Sequence, residues 1–188
     1  MVGGKVLVYD LVSENHRALR NTPLFGKVRA VRIKCTSMLY KLGIPCTESV
    51  ILINSSHAER ISETIEMVRE LYEDVLHEVN NALGVRLPEP VIKVLDITQD
   101  QYQVFRDLAE RRLRESIDGQ IDRVSMIIET VADQSDQNKR RSIIHSLKKL
   151  KKEWVRIRNS CLEIGINLED EINYLLDLID QAINALYS

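Results

Sequence analysis

The stretch Gly43-Ile44-Pro45-Cys46-Thr47-Glu48-Ser49-Val50-Ile51-Leu52-Ile53 decides the fold. Its second part, Ser49–Ile53, is β-branched and apolar and is stopped by Asn54-Ser55-Ser56, so it reads as a strand. Gly43 to Ser49 is too short for a crossover helix but adequate for a turn between neighbouring antiparallel strands. A strand at Ile44–Cys46 therefore fits, and Pro45 puts it at a sheet edge, because proline cannot donate to the ladder. Without it, the first half would be a bare three-strand βαβαβ unit.

Two more strands flank this turn. Lys5-Val6-Leu7-Val8-Tyr9 closes at Asp10, and Val91-Ile92-Lys93-Val94-Leu95 opens after Pro88 and Pro90. Helices lie between them. Val31, Cys35, Met38 and Leu42 step by four, three and four, and Gly43 ends that helix. Ile61, Ile65, Val68, Tyr72, Val75 and Val79 form a second stripe, with Glu63, Glu66, Glu70, Asp74 and His77 falling away from it. Ser56 with Glu59 is a capping box before that helix, and Gly84 ends it. The order β-α-β-β-α-β predicts a ferredoxin-like split arrangement over residues 1–97.

From Thr98 onward no strand is expected. Thr98 with Gln101 is a capping box, and Leu113, Ile117, Ile121, Val124, Ile128 and Val131 carry a helix across Gly119, with Phe105 and Leu108 ahead of them. Ile143, Leu147, Leu150, Trp154, Ile157, Cys161 and Ile164 alternate spacings of four and three, and Gly165 ends them. Ile172, Leu175, Ile179, Ile183 and Leu186 complete a final helix. The fold class is thus α+β: a ferredoxin-like βαββαβ domain at 1–97, then an antiparallel three-helix domain at 98–188.

The chain has 188 residues, 44% of them apolar and 29% charged, which excludes a collagen-like or broadly disordered chain. Cys35, Cys46 and Cys161 are too few and too scattered for a disulfide framework or a metal-binding pair, so they read as reduced and buried in a cytoplasmic protein. No run of about 18 apolar residues implies a membrane span, and no signal peptide is apparent.

Net charge is only −2, which argues against a general DNA coat, yet the charge is segregated. Between Arg17 and Lys41 lie seven bases and no acid: Arg17, Arg20, Lys27, Arg29, Arg32, Lys34 and Lys41. On a helix and its entry loop they predict contacts to a phosphate backbone, DNA or RNA. A second run, Lys139–Arg158, holds nine bases and one acid, Glu153. Here the simpler expectation is that long basic stems lie against the acidic final helix. No P-loop, HExxH, GxSxG or dinucleotide fingerprint occurs. Asp10 is the carboxylate to single out, because it closes an apolar strand, and His16 lies near it. Antiparallel neighbours would put Asp10 and Asp96 at opposite ends, so an Mg²⁺ ion at Asp10 would need a symmetry-related Asp10.

Lys5–Asp10, the basic helix ending at Leu42-Gly43, and Glu48-Ser49-Val50-Ile51-Leu52-Ile53 resemble the small ferredoxin-like domain shared by CRISPR-associated Cas2 proteins and the N-terminal region of chromate-resistance regulators of the ChrB type. The helical extension, with Tyr102, Phe105 and Arg106 near its start, is more similar to the ChrB type. The Cas2 branch implies dimers, some of them metal-dependent nucleases with an aspartate after the first strand, where Asp10 stands. The ChrB branch implies a chromate-responsive regulator. The leading expectation is a nucleic-acid-associated or regulatory homodimer acting through its basic patch. Its rivals are an Mg²⁺-dependent nuclease with Asp10 paired across a dimer, and a non-enzymatic module whose helical half docks a protein through Leu147, Leu150 and Trp154.

Overall fold

In the computed structural model, which describes residues 2–12, 17–54, 59–130 and 136–187, the apolar runs become one four-stranded sheet. Its strands are β1 (Val2–Asp10), β2 (Gly43–Pro45), β3 (Val50–Ile53) and β4 (Val91–Thr98), in the spatial order β2-β3-β1-β4. Every neighbouring pair is antiparallel, with Leu7 opposite both Ile51 and Val94. The two-residue alternation of a strand sends Leu7, Tyr9, Ile51, Ile53 and Ile92 to one face. Val6, Ile44, Leu52 and Ile97 go to the other and are equally buried. Burial on both faces is why these strands read as continuous apolar runs instead of alternating ones.

Helices α1 (Leu24–Leu39) and α2 (Ile61–Leu83) cover the first of these faces. On α2 the expected stripe is inside: Ile61, Val68, Tyr72, Val75 and Val79 are buried, and Ile65 is half-buried. The Tyr72 hydroxyl donates to the Val12 carbonyl at 3.4 Å, tying α2 to the exit of β1. Gly84 ends α2 at φ 63°, the left-handed cap conformation that glycine adopts without steric cost. Of the capping box expected before α2, Ser56 lies outside the described residues. On α1 the stripe is displaced. Val28, Cys35 and Leu39 are buried, while Val31 and Met38 are only half-buried. Val31 and Met38 lie to one side of the line of Val28, Cys35 and Leu39, and Leu42 of the following 3₁₀ turn, Tyr40–Leu42, is buried as well.

Gly43 follows the 3₁₀ turn that prolongs α1 and so ends the helical segment, but not in the left-handed conformation of a glycine cap. Its φ is 174°, which is extended backbone, and it is the first residue of β2. Glycine is required there for space: a Cβ would stand 1.9 Å from the Leu52 carbonyl oxygen and 2.8 Å from its carbon. On β1, Gly4 makes room for the Tyr102 ring, whose Cδ2 would lie 2.5 Å from an added Cβ.

After β4 the helices are α3 (Gln99–Thr130), α4 (Gln137–Ile164) and α5 (Glu169–Tyr187), with no further strand among the described residues. The capping box at the start of α3 is formed in both directions: the Thr98 amide donates to Gln101 Oε1 at 2.9 Å, and the Gln101 amide donates to Thr98 Oγ1 at 3.3 Å. α3 runs unbroken through Gly119. The chain divides into two compact units inside α3, Met1–Arg106 and Asp107–Ser188. Within the second unit, Ala109, Leu113, Ile117 and Val124 of α3 are buried. So are Ile144, Leu147, Trp154 and Cys161 of α4, and Ile172, Leu175, Ile179 and Ile183 of α5. Asp136 caps α4 by accepting from the Asn138 and Lys139 amides, and Gly165 ends it at φ 78°. Arg114 of α3 pairs with Glu110 one turn away and with Glu171 of α5. Tyr174, spaced like a packing residue, is exposed instead.

Replacing Gly43 with alanine should lower stability by about 1–3 kcal/mol, the usual cost of forcing atoms into a filled space. A urea melt of Gly43→Ala checks this, and a midpoint equal to the parent's would show that the β2–β3 contact tolerates a methyl group.

Candidate nucleic-acid interface

The basic segment is built around one anchor. Leu19 is fully buried in the 3₁₀ turn Arg17–Leu19, which leaves Arg17 and Arg20 exposed on either side of it. Asn21 takes a positive φ of 62°, a conformation asparagine tolerates better than most residues. Thr22 then folds back, its hydroxyl donating to the Leu19 carbonyl at 2.8 Å. Pro23 stands at the helix entrance, where a missing N–H costs nothing. The two arginines are thus fixed at the mouth of α1, whose first turn has no acid.

Along α1 the bases fall on two edges. At about 100° per residue, Lys27 and Lys34 lie within about 20° of each other, while Arg29 and Arg32 lie on the opposite side of the helix. The first edge faces α2, where Lys27 pairs with Glu78. Lys34 on the same edge is exposed. On the second edge Arg29 is exposed and Arg32 is half-buried. Between the two edges runs an outward ridge of Gly26, Ala30, Ile33 and Ser37, with Ile33 56% exposed. Lys41 projects from the 3₁₀ turn that follows. The structure therefore brings Arg17 and Arg20 together around Leu19 and gathers the α1 bases in two rows, not one.

The second basic run is divided by function. Lys151 of α4 holds Asp180 of α5 with contacts of 2.6 and 2.7 Å, and Arg158 donates to Asn173 Oδ1 at 2.8 Å. Lys148 donates to the Tyr187 hydroxyl at 3.1 Å, with its ammonium 5.6 Å from that ring's centre. These three meet the expectation that the run lies against the acidic last helix. Arg141, His145, Lys149 and Lys152 do not; all four are exposed. Charge counting along the sequence merged the two sets, and sorting the run by helical angle separates them.

Asp10 is exposed at the end of β1, opposite Val91, whereas Asp96 stands opposite Lys5 and pairs with it at 2.9 Å. The two carboxylates are at opposite ends of the ladder, as antiparallel pairing demands. Among the described residues no group of three His, Cys, Asp or Glu side chains converges on one point. His16 lies outside the described residues. No protein-family model, curated protein or solved structure matches the chain.

The cysteines are all free and buried. Burial pushes the Cys35 thiol from 9.0 up to about 11, against the lowering effect of the neighbouring Lys34 charge. Burial likewise pushes Cys161 to about 12, and the Glu110 charge adds to the rise. Both thiols stay protonated at neutral pH, so neither is a ready nucleophile. The linkage has a definite sign. Above pH 9 the unfolded chain releases these protons first, so their contribution to stability falls as pH rises towards 11 and 12. A disulfide reagent at pH 8 should label native protein slowly and label three thiols after unfolding. Rapid labelling of Cys35 in the native state would contradict its burial.

Proposed function

We propose that the chain is a nucleic-acid-associated or regulatory protein, acting as a homodimer, that contacts backbone phosphates through the basic surface of residues 17–41. The observation that carries this reading is the lack of any carboxylate between Arg17 and Lys41, combined with the exposure of Arg17, Arg20, Arg29, Lys34 and Lys41. Cations with no acid beside them in sequence are poor local stabilisers, but they suit a polyanion, whose condensed counterions they release. Arg17 and Arg20 are held by a buried leucine and a folded-back threonine, so their backbone needs little ordering on binding.

The proposed scaffold has two parts. The order β1-α1-β2-β3-α2-β4 with sheet order β2-β3-β1-β4 fits a ferredoxin-like split arrangement. The pairings Lys148–Tyr187, Lys151–Asp180 and Arg158–Asn173 descend α5 as they climb α4, which fits an antiparallel helical domain. For the homodimer, β4 is an edge strand whose Val91 and Leu95 are nearly half exposed, and such an edge is open to a second copy.

The test is the salt dependence of binding to a short DNA duplex. Each phosphate neutralised contributes about 0.9 to the slope of log affinity against log salt, so Arg17→Gln, Arg20→Gln and Arg29→Gln together should flatten it by about 2.7. An unchanged slope would reject this surface, and no binding even at low salt would reject nucleic-acid association altogether. Sedimentation at micromolar concentration should give a dimer; a monomer throughout would remove the homodimer from the reading.

A further inference from the structure

The outward side of α4 carries a row of cations whose one acid at helical spacing is Glu153, four residues after Lys149. At about 100° per residue, Arg141, His145, Lys149 and Lys152 fall within about 80° of arc, opposite the buried stripe of Leu147 and Trp154. Lys148 borders the row and Arg156 extends it; Glu153 lies about 40° outside the arc, and no acid stands within it until Glu163, two turns beyond Arg156. Each member has a like-charged or basic neighbour three or four positions away, an arrangement that destabilises a helix. The row also begins close to the positive end of the helix dipole. The first turn of α4 has no acid and holds Lys139 and Arg140, with Arg141 next, while Asp136 stands before it at the N-cap. In α5, by contrast, Glu169, Asp170 and Glu171 occupy the first turn, where the dipole favours them. A helix that sets like charges one turn apart on an exposed face is where a functional surface is expected.

We infer that this face of α4 is a second phosphate-backbone contact surface, carried by Arg141, Lys149 and Lys152 with His145 among them. It rests on the nucleic-acid reading above, but it uses residues of the other compact unit. The chemistry of the face selects the partner. Its outward arc has no large apolar side chain, which membrane insertion would need. Beside it runs a groove of about 590 Å³ lined by Arg123 of α3 and by Ser142, His145, Ser146, Lys149 and Glu153 of α4 over an apolar floor. Its guanidinium, hydroxyl and ammonium donors suit phosphate and sugar oxygens, and Glu153 is the one acid among its lining residues. The row rises about 1.5 Å per residue, so from Arg141 to Lys152 it follows roughly 16 Å of backbone. Phosphodiester chemistry is common to DNA and RNA, and the probes distinguish them.

The experiment uses the full chain, with fluorescence anisotropy on a DNA duplex of about 20 base pairs and on a single-stranded RNA of similar length, between about 25 and 200 mM salt. Lys149→Gln with Lys152→Gln should flatten the duplex slope by about 1.8, or by about 1.4 on a single strand. Lys149→Arg with Lys152→Arg should restore it, and Lys93→Gln, an exposed lysine on β4, should leave it unchanged. The helical signal and thermal midpoint of each variant confirm folding. If the slope responds to the Arg17, Arg20 and Arg29 substitutions but not to those in α4, this inference fails and the earlier reading stands. If polyglutamate competes as well as DNA at equal charge, the face serves an acidic protein and the inference is overturned. If the parent binds neither probe at 25 mM salt, both readings fall.

Discussion

The close approach of Gly43 to the Leu52 carbonyl is the constraint on which the first unit depends. Two backbones meet there with no room for a Cβ. That contact closes β2 against β3 within a short turn, and β3 then pairs with β1. Because the connection is a turn and not a helix, α1 and α2 are the two crossovers, and both lie on the face of Leu7, Ile51 and Ile92. The opposite side of α1 is left to solvent, with the basic loop at its entrance.

Much of this was legible in the sequence because burial imposes periods. The α2 stripe and the α5 stripe are read directly from apolar residues three and four apart. The box of Thr98 and Gln101 is read from two polar residues at the one spacing that lets each satisfy the other's amide. What sequence spacing could not give is contact between distant segments. Gly43 has the local signature of a helix cap, and only the cross-strand neighbour reveals that space, not dihedral freedom, demands it. The α1 stripe was met at Cys35 and Leu42 but not at Val31 and Met38, which lie beside the buried line of Val28, Cys35 and Leu39.

The candidate site was legible as composition but not as geometry. Seven bases without an acid stand out in any reading of residues 17–41. Their division into the Lys27/Lys34 edge and the Arg29/Arg32 edge depends on where α2 lies, and so does the pairing of Lys27 with Glu78. In α4 the reverse holds. The neighbouring acidic helix takes Lys151, and the partners of Lys148 and Arg158 are also on α5. That accounts for part of the run and isolates the exposed remainder. A chain close to neutral overall thus exposes cations in residues 17–41 and on α4, while Glu63, Glu66, Glu70 and Asp74 of α2 are exposed away from that helix's buried stripe. Surface potential of this kind acts on association with polyanions, and it is screened by salt within about 8–10 Å.

The most direct test of that segregation is a titration of isotopically labelled protein with a short nucleic-acid duplex, followed by amide chemical shifts at low salt. Shift changes should concentrate in residues 17–41 and at the outward positions of α4, while the exposed acids Glu63, Glu66, Glu70 and Asp74 of α2 stay silent. Changes spread evenly over the chain, centred on α2, or absent at low salt would contradict the account.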